Sequence, residues 1–237
     1  MPRSGRETAG FVVSRKQILI ALGAVIVVGL GLAAWFVFSP PAEPAQAVAS
    51  GAGYEIATTD HTLGNPNAKV VLIEYAAPVC PHCARFNENV FQQIKKTYID
   101  TGKVLYVFRV FPLHPSDVAA EKLATCMPKE KYFDFIDILF RNQAKWDFEY
   151  GVQDIQGGLR EMAKLGGMDQ AKADACMAST AEEERINKVA IEGQSRYAIN
   201  STPSILVDGE LQPPPFASEW TFEALSEILN ARLAAKK

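Results

Sequence analysis

The sequence predicts an α/β domain whose central sheet contains parallel strands and whose chain is interrupted by a block of helices. Three observations lead there. Two apolar runs, Lys69–Tyr75 and Lys103–Phe111, flank one helical pattern, Pro81–Tyr98. Strand, helix and strand at that spacing form a crossover unit, which pairs its strands in parallel. From Ser116 to about Tyr197 the apolar period is helical, and strand character returns only at Ser204-Ile205-Leu206-Val207.

Each element has its own justification. Val70-Val71-Leu72-Ile73-Glu74-Tyr75 is nearly continuous in apolar character, as a strand covered on both faces requires. The following helix carries Pro81 in its first turn, where a missing N–H costs nothing, and Phe86, Val90 and Ile94 four residues apart. Lys103–Phe111 is rich in β-branched and aromatic residues. The helical block, about 115–197, divides into Val118–Cys126, Tyr132–Trp146, Gln153–Leu165, Gln170–Met177 and Ala181–Tyr197. Asp208-Gly209 is a hairpin turn signal, and Pro213-Pro214-Pro215 requires the strand after that turn to be short or at an edge. Thr221 is the N-cap of a last helix, Phe222–Leu233.

Between the first strand and its helix stands Cys80-Pro81-His82-Cys83. Two cysteines at this spacing open and close a disulfide reversibly, and a strand that delivers them to a helix N-terminus is the setting of a thioredoxin-like redox site. The thiolate is the reactive species, and a helix N-terminus favours negative charge there. Half of a zinc site is the alternative. Zinc takes four ligands, usually as two close pairs, whereas Cys126 and Cys176 stand far apart without a neighbouring Cys or His. The redox reading fits the context better, and it requires no metal.

The N-terminal region reads as membrane-directed. Residues 1–16 carry Arg3, Arg6, Arg15 and Lys16 against one acid, Glu7, as a cytoplasmic N-terminus would. Residues 17–38 follow as a signal-anchor; the uncharged stretch Ile18–Phe38 is roughly 32 Å long as a helix, enough to span a bilayer. A cleaved signal peptide, with Ala45-Gln46-Ala47 at the cut, is the competing reading, but its apolar core is usually shorter. Residues 39–53 form a Pro/Ala-rich tether, and 54–237 one exported domain. The whole chain has 237 residues and a net charge of −3, and no basic block that would suggest nucleic acid.

Several motifs together carry a resemblance. Leu63-Gly64-Asn65-Pro66-Asn67-Ala68, the strand with Glu74, Cys80-Pro81-His82-Cys83, Phe111-Pro112-Leu113-His114-Pro115 and Ser201-Thr202-Pro203-Ser204 are similar to the DsbA family. Within it the chain resembles the membrane-anchored, BdbD-like and alphaproteobacterial branches. The resemblance implies a thioredoxin fold with a helical insertion and a thiol:disulfide oxidoreductase that introduces disulfides into exported proteins. It implies that Cys80 is the nucleophile, that Cys83 is the resolving partner, and that His82 stabilises the Cys80 thiolate. Glu74 is implied as proton donor or acceptor for Cys83, with a raised pKa. Thr202-Pro203 matches a cis-proline loop facing the cysteines, with Thr202 offering its backbone to substrate. Cys126 and Cys176 are read as a structural disulfide, as in some relatives, with two free thiols as the alternative.

The resemblance also implies unfolded exported proteins as substrates, a DsbB-like quinone-linked membrane oxidase as partner, and no cofactor. The Thr before Pro203, where archetypal oxidases carry Val, leaves isomerase or reductase open; a non-catalytic chaperone is the reading from another class. His114 is read as packing or capping, and His61 has no assigned role.

Overall fold

The computed structural model describes residues 50–51, 54–214 and 219–236. Segments 1–16 and 17–38 and most of 39–53 lie outside them, and among the described residues no helix is long and apolar enough to cross a membrane. Ser50–Gly51 (β1) and Tyr54–Glu55 (β2) pair antiparallel, where the sequence suggests only an extended tether up to Gly53. The Tyr54 ring is buried in the domain core.

The main sheet has the order β3-β5-β4-β6-β7. Its strands are β3 (His61–Leu63), β4 (Val70–Ala76), β5 (Val104–Val110), β6 (Ser204–Val207) and β7 (Glu210–Gln212). β4 and β5 run parallel, from Val70↔Val104 to Ala76↔Val110, as the crossover requires. β6 is antiparallel to β4, with Ile205 opposite Glu74. β7 is three residues long and at the edge, consistent with the prolines that follow. β3 is too short and too evenly half-buried to leave an alternating signature in the sequence.

Helix α1 (Pro81–Phe86) continues through a π turn (Asn87–Phe91), an α turn (Gln92–Ile94) and a second π turn (Lys95–Ile99). The insertion between β5 and β6 contains α2 (Pro115–Thr125), α3 (Tyr132–Arg141), α4 (Gln143–Trp146), α5 (Ile155–Leu165), α6 (Gln170–Met177) and α7 (Thr180–Tyr197). α2 begins three residues earlier than the apolar period suggests. His114 caps it, and Asp117 reciprocates by accepting the His114 backbone N–H at 2.9 Å. The single helix predicted over Tyr132–Trp146 is broken at Asn142 (φ −119°, ψ 21°). The break turns Trp146 into the core, where its indole N–H donates to the Leu139 carbonyl at 2.9 Å. α8 (Phe222–Ala235) starts at Thr221, whose hydroxyl accepts the Ala224 N–H.

Alternate residues of β4 feed two cores, as the two-residue strand period dictates. Val70, Leu72 and Ala76 pack towards α1, α8 and the insertion, whereas Val71, Ile73 and Tyr75 pack with Tyr54, Ile56 and Tyr197 on the opposite face. α7 lies close against that second face because Gly193 has no side chain: a Cβ there would stand 2.7 Å from the Tyr75 ring. Asp208 and Gly209 both adopt positive φ (51° and 83°), the two-residue hairpin geometry that the Asp-Gly pair favours.

Candidate active site

Cys80 sits at the junction of β4 and α1 because Pro81 starts the helix and leaves Cys80 as its extended N-cap (φ −71°, ψ 118°). Its thiol is nearly buried and donates to the Thr202 carbonyl at 3.4 Å. The Thr202-Pro203 peptide bond is cis. Cys83, one turn into α1, is fully buried. Both are free thiols here.

The two sulfurs differ sharply in acidity. The Cys80 thiol is lowered to about 5 by the Cys83 thiol hydrogen-bonded to it, against the opposing effect of its own burial. The Thr202 side chain and the backbone N–H groups of Cys83 and His82 add to this lowering. The Thr202 hydroxyl is buried and has no hydrogen-bond partner of its own. Burial pushes the Cys83 thiol up, and the neighbouring Cys80 and Glu74 push it further. One sulfur is thus built to be a thiolate at neutral pH and the other a thiol.

Glu74 occupies the centre of the sheet, between Phe108 of β5 and Ile205 of β6, and is 2 % exposed. The Tyr106 hydroxyl donates to its Oε2 at 2.6 Å, and its Oε1 has no partner. Burial raises its carboxyl to about 8, with the Tyr106 hydrogen bond opposing and the Cys80 charge reinforcing the rise. A carboxylic acid that is protonated at neutral pH therefore faces the same core as the two cysteines, near enough to Cys83 to raise its pKa.

His82 supports the Cys80 thiolate through its backbone, while its ring is engaged elsewhere. Its ring is about half exposed and engages Arg85, whose guanidinium donates to Nδ1 at 2.8 Å; Arg85 is itself paired with Glu219 at 3.0 Å. What reaches Cys80 Sγ from residue 82 is its backbone N–H. The reason is local: residues three apart on a helix share a face, so the ring meets Arg85 one turn on.

A cleft of about 430 Å³ opens beside Cys80, lined by His82, Leu113, His114, Phe148 and Thr202 among others. His114 caps α2 with its ring stacked near Phe148, the centroids 4.1 Å apart. His61 lies elsewhere, stacked 3.5 Å from Tyr132. Cys126 and Cys176 are joined, Cα atoms 6.2 Å apart, and tie α2 to α6 within the insertion.

Three buried residues around Cys80 were not singled out from the sequence. Tyr106 is one of several aromatics in its strand and carries no mark of its own. Asp117 accepts the Val79 N–H through Oδ1 and those of Leu113 and His114 through Oδ2. The Pro115-Ser116-Asp117 start of a helix is the signal that could have found it. Gln143 donates to the carbonyls of Pro78 and Cys80 and has no sequence signal.

Comparison with known proteins agrees with this geometry. Residues 57–231 match the family model described as Thioredoxin. A Rickettsia typhi protein named as a protein-disulfide oxidoreductase is 30% identical over 69% of this chain and 60% of its own length. The chain thus spans less than two thirds of that relative. A disulfide bond formation protein D of Bacillus cereus is 28% identical over 68% of this chain and 76% of its own. Among solved structures, Wolbachia pipientis α-DsbA1 superposes with a TM-score of 0.67 at 28% identity, covering 75% of this chain and 92% of that one. The family match spans both halves of the sheet and the insertion between them, so the chain belongs to the thioredoxin family, and within it the chain is similar to DsbA-like proteins.

Proposed function

We propose that this chain is a thiol:disulfide oxidoreductase that introduces disulfide bonds into exported proteins. The observation that carries the reading is the opposed acidity of Cys80 and Cys83, with a protonated Glu74 beside the buried one. In the oxidised enzyme a substrate thiolate attacks Cys80 Sγ, forming a mixed disulfide and breaking the Cys80–Cys83 bond. Cys83 departs as a thiolate and takes the proton of Glu74. A second substrate thiolate then attacks the substrate sulfur of the mixed disulfide and expels Cys80, which leaves readily because its thiolate is stabilised. The substrate loses two electrons, and the enzyme is left reduced.

The Thr202 backbone beside Sγ offers an edge on which an extended, unfolded substrate adds as a strand. Reoxidation falls to a DsbB-like quinone-linked membrane oxidase. Residues 17–38, uncharged and apolar, support a single-pass anchor in the cytoplasmic membrane, and the bases of 1–16 support a domain held on the outer side of it. Exported location also fits the Cys126–Cys176 bond, since disulfides persist in oxidising compartments.

The test is the equilibrium of the Cys80–Cys83 pair with glutathione, measured on the full chain in detergent. A potential well above that of the glutathione couple is expected. A strongly reducing, thioredoxin-like value would retire the oxidase reading in favour of a reductase. Protease accessibility in spheroplasts tests the topology: the domain is expected to be cut from outside, and protection there would overturn the anchored, exported arrangement.

A further inference from the structure

The residues leading into α1 are held from two sides by side chains of the insertion. From α2, Asp117 Oδ1 accepts the Val79 N–H at 2.8 Å. From α4, the Gln143 amide nitrogen donates to the Pro78 carbonyl at 2.8 Å and to the Cys80 carbonyl at 3.1 Å. The Gln143 carbonyl oxygen accepts the Tyr150 hydroxyl at 3.3 Å, which defines which end of the amide faces the turn. Gln143 is 4 % exposed, and a buried amide is costly unless its donors are used. Both are, and both go to the backbone flanking the nucleophile.

This placement bears on the chemistry through the Cys80 backbone. Cys80 is an N-cap without a side-chain capping bond, so nothing in its own side chain fixes the turn. Its carbonyl is shared between Gln143 and the Ala84 N–H, which closes the first turn of α1 at 3.1 Å. The orientation of that peptide sets where Sγ lies between the Thr202 carbonyl and the N–H groups of His82 and Cys83. A hydrogen-bond donor on the two carbonyls therefore holds Sγ where those groups meet it.

We propose that Gln143 is a positioning residue for Cys80: through its amide the helical insertion fixes the turn that presents Sγ to the Thr202 loop and to the first N–H groups of α1. The inference rests on the thiol:disulfide reading of the site. It makes the insertion part of the redox machinery as well as a cover for the sheet, with Tyr150 orienting the amide from behind.

The experiment uses the full chain in detergent and two variants, Gln143→Leu and Tyr150→Phe. Three quantities are read: the thiolate absorbance of Cys80 near 240 nm against pH, the equilibrium constant with glutathione, and the melting temperature. Gln143→Leu is expected to raise the Cys80 pKa by about one unit and to shift the glutathione equilibrium about tenfold towards the disulfide. Tyr150→Phe, which leaves the amide in place but free to rotate, is expected to move both in the same direction by about two- to threefold. A purely structural role would lower the melting temperature and leave pKa and equilibrium at wild-type values, and that result overturns the proposal. Should Gln143→Leu fail to fold, Tyr150→Phe decides alone: an unshifted pKa and equilibrium overturn it. A wild-type pair that is itself reducing counts against the oxidase reading, whichever way the variants move.

Discussion

The Tyr106 hydroxyl donates a 2.6 Å hydrogen bond to Glu74 Oε2 across the parallel pair β4–β5, and the other carboxyl oxygen is left without a partner in the core. A buried carboxyl with one donor is held between two states: the donor favours the carboxylate, and burial favours the acid. Burial wins, raising the group to about 8. Tyr106→Phe removes the hydrogen bond that opposes it. The Glu74 pKa is then expected to rise above its wild-type value and stability to fall by about 1 kcal/mol. Infrared titration of the carboxyl band and urea unfolding at pH 6 check the two parts.

Glu74 also makes stability depend on pH with a definite sign. Its folded pKa lies above the ordinary value of 4.5, so its contribution is fully present below about 4.5 and is lost as pH rises through about 8. Asp117 and Glu121, raised by burial to about 7, act in the same direction. Glu74→Gln is therefore expected to lose less stability than wild type between pH 5 and pH 8.5. Urea midpoints of both proteins across that range measure the difference, and parallel curves would contradict it. The same variant should slow attack on the Cys80–Cys83 disulfide at pH 7 at least about tenfold, since Cys83 loses its proton donor.

Cys80 titrates in the opposite sense. Its folded pKa of about 5 lies below the ordinary 9, so its stabilisation of the reduced protein is complete above pH 9 and lost as pH falls through 5. At pH 7 this amounts to about 3 kcal/mol, at about 1.4 kcal/mol for each pKa unit. Reduced protein is expected to outlast oxidised protein in urea at pH 7, with the gap closing near pH 4. Iodoacetamide should modify one thiol with a midpoint near pH 5, and mass spectrometry should locate it at Cys80.

The Cys126–Cys176 bond closes a loop of 50 residues between α2 and α6. Replacing both cysteines by Ala is expected to cost about 2–4 kcal/mol of stability. The Cys80–Cys83 potential should stay unchanged, because neither Cys126 nor Cys176 takes part in the Asp117 and Gln143 contacts that hold the Cys80 turn. Urea unfolding and glutathione equilibration of the double variant separate the two effects.

Glu121 provides a test of how the insertion is fastened. It is 2 % exposed and accepts from Arg185 of α7 at 2.9 Å and from the Tyr132 hydroxyl of α3 at 2.8 Å. Arg185→Met leaves a buried carboxyl without its cation, and breaking such a pair costs about 3–5 kcal/mol where the acid is ionised. The loss is expected to be largest above pH 7 and smaller at pH 5, where Glu121 is protonated. Thermal melts at the two pH values check it.

Much of the fold was legible because its cues are local. The four-residue spacing of Phe86, Val90 and Ile94, the unbroken apolar run before Cys80 and the Asp208-Gly209 turn each act within a few residues. So does the placement of Cys80 at a helix start, which Pro81 enforces. Glu74 stood out because a carboxylate in an apolar strand demands an explanation. By contrast, the break at Asn142 follows from the burial of Trp146, which no periodicity reports.

The sequence by itself determined the redox pair, its position between strand and helix, the parallel crossover and the extent of the insertion. Tertiary structure alone decided that Thr202, 122 residues away, stands against Cys80, that Tyr106 partners Glu74, and that Gln143 and Asp117 grip the turn. It also turned the His82 ring towards Arg85 and Glu219 instead of Cys80. The physical reason is range. Backbone conformation answers to neighbours within a turn or a strand pair, whereas the acidity of a sulfur or a carboxyl answers to whatever packing brings within a few ångströms of it, and to how much water that packing removes.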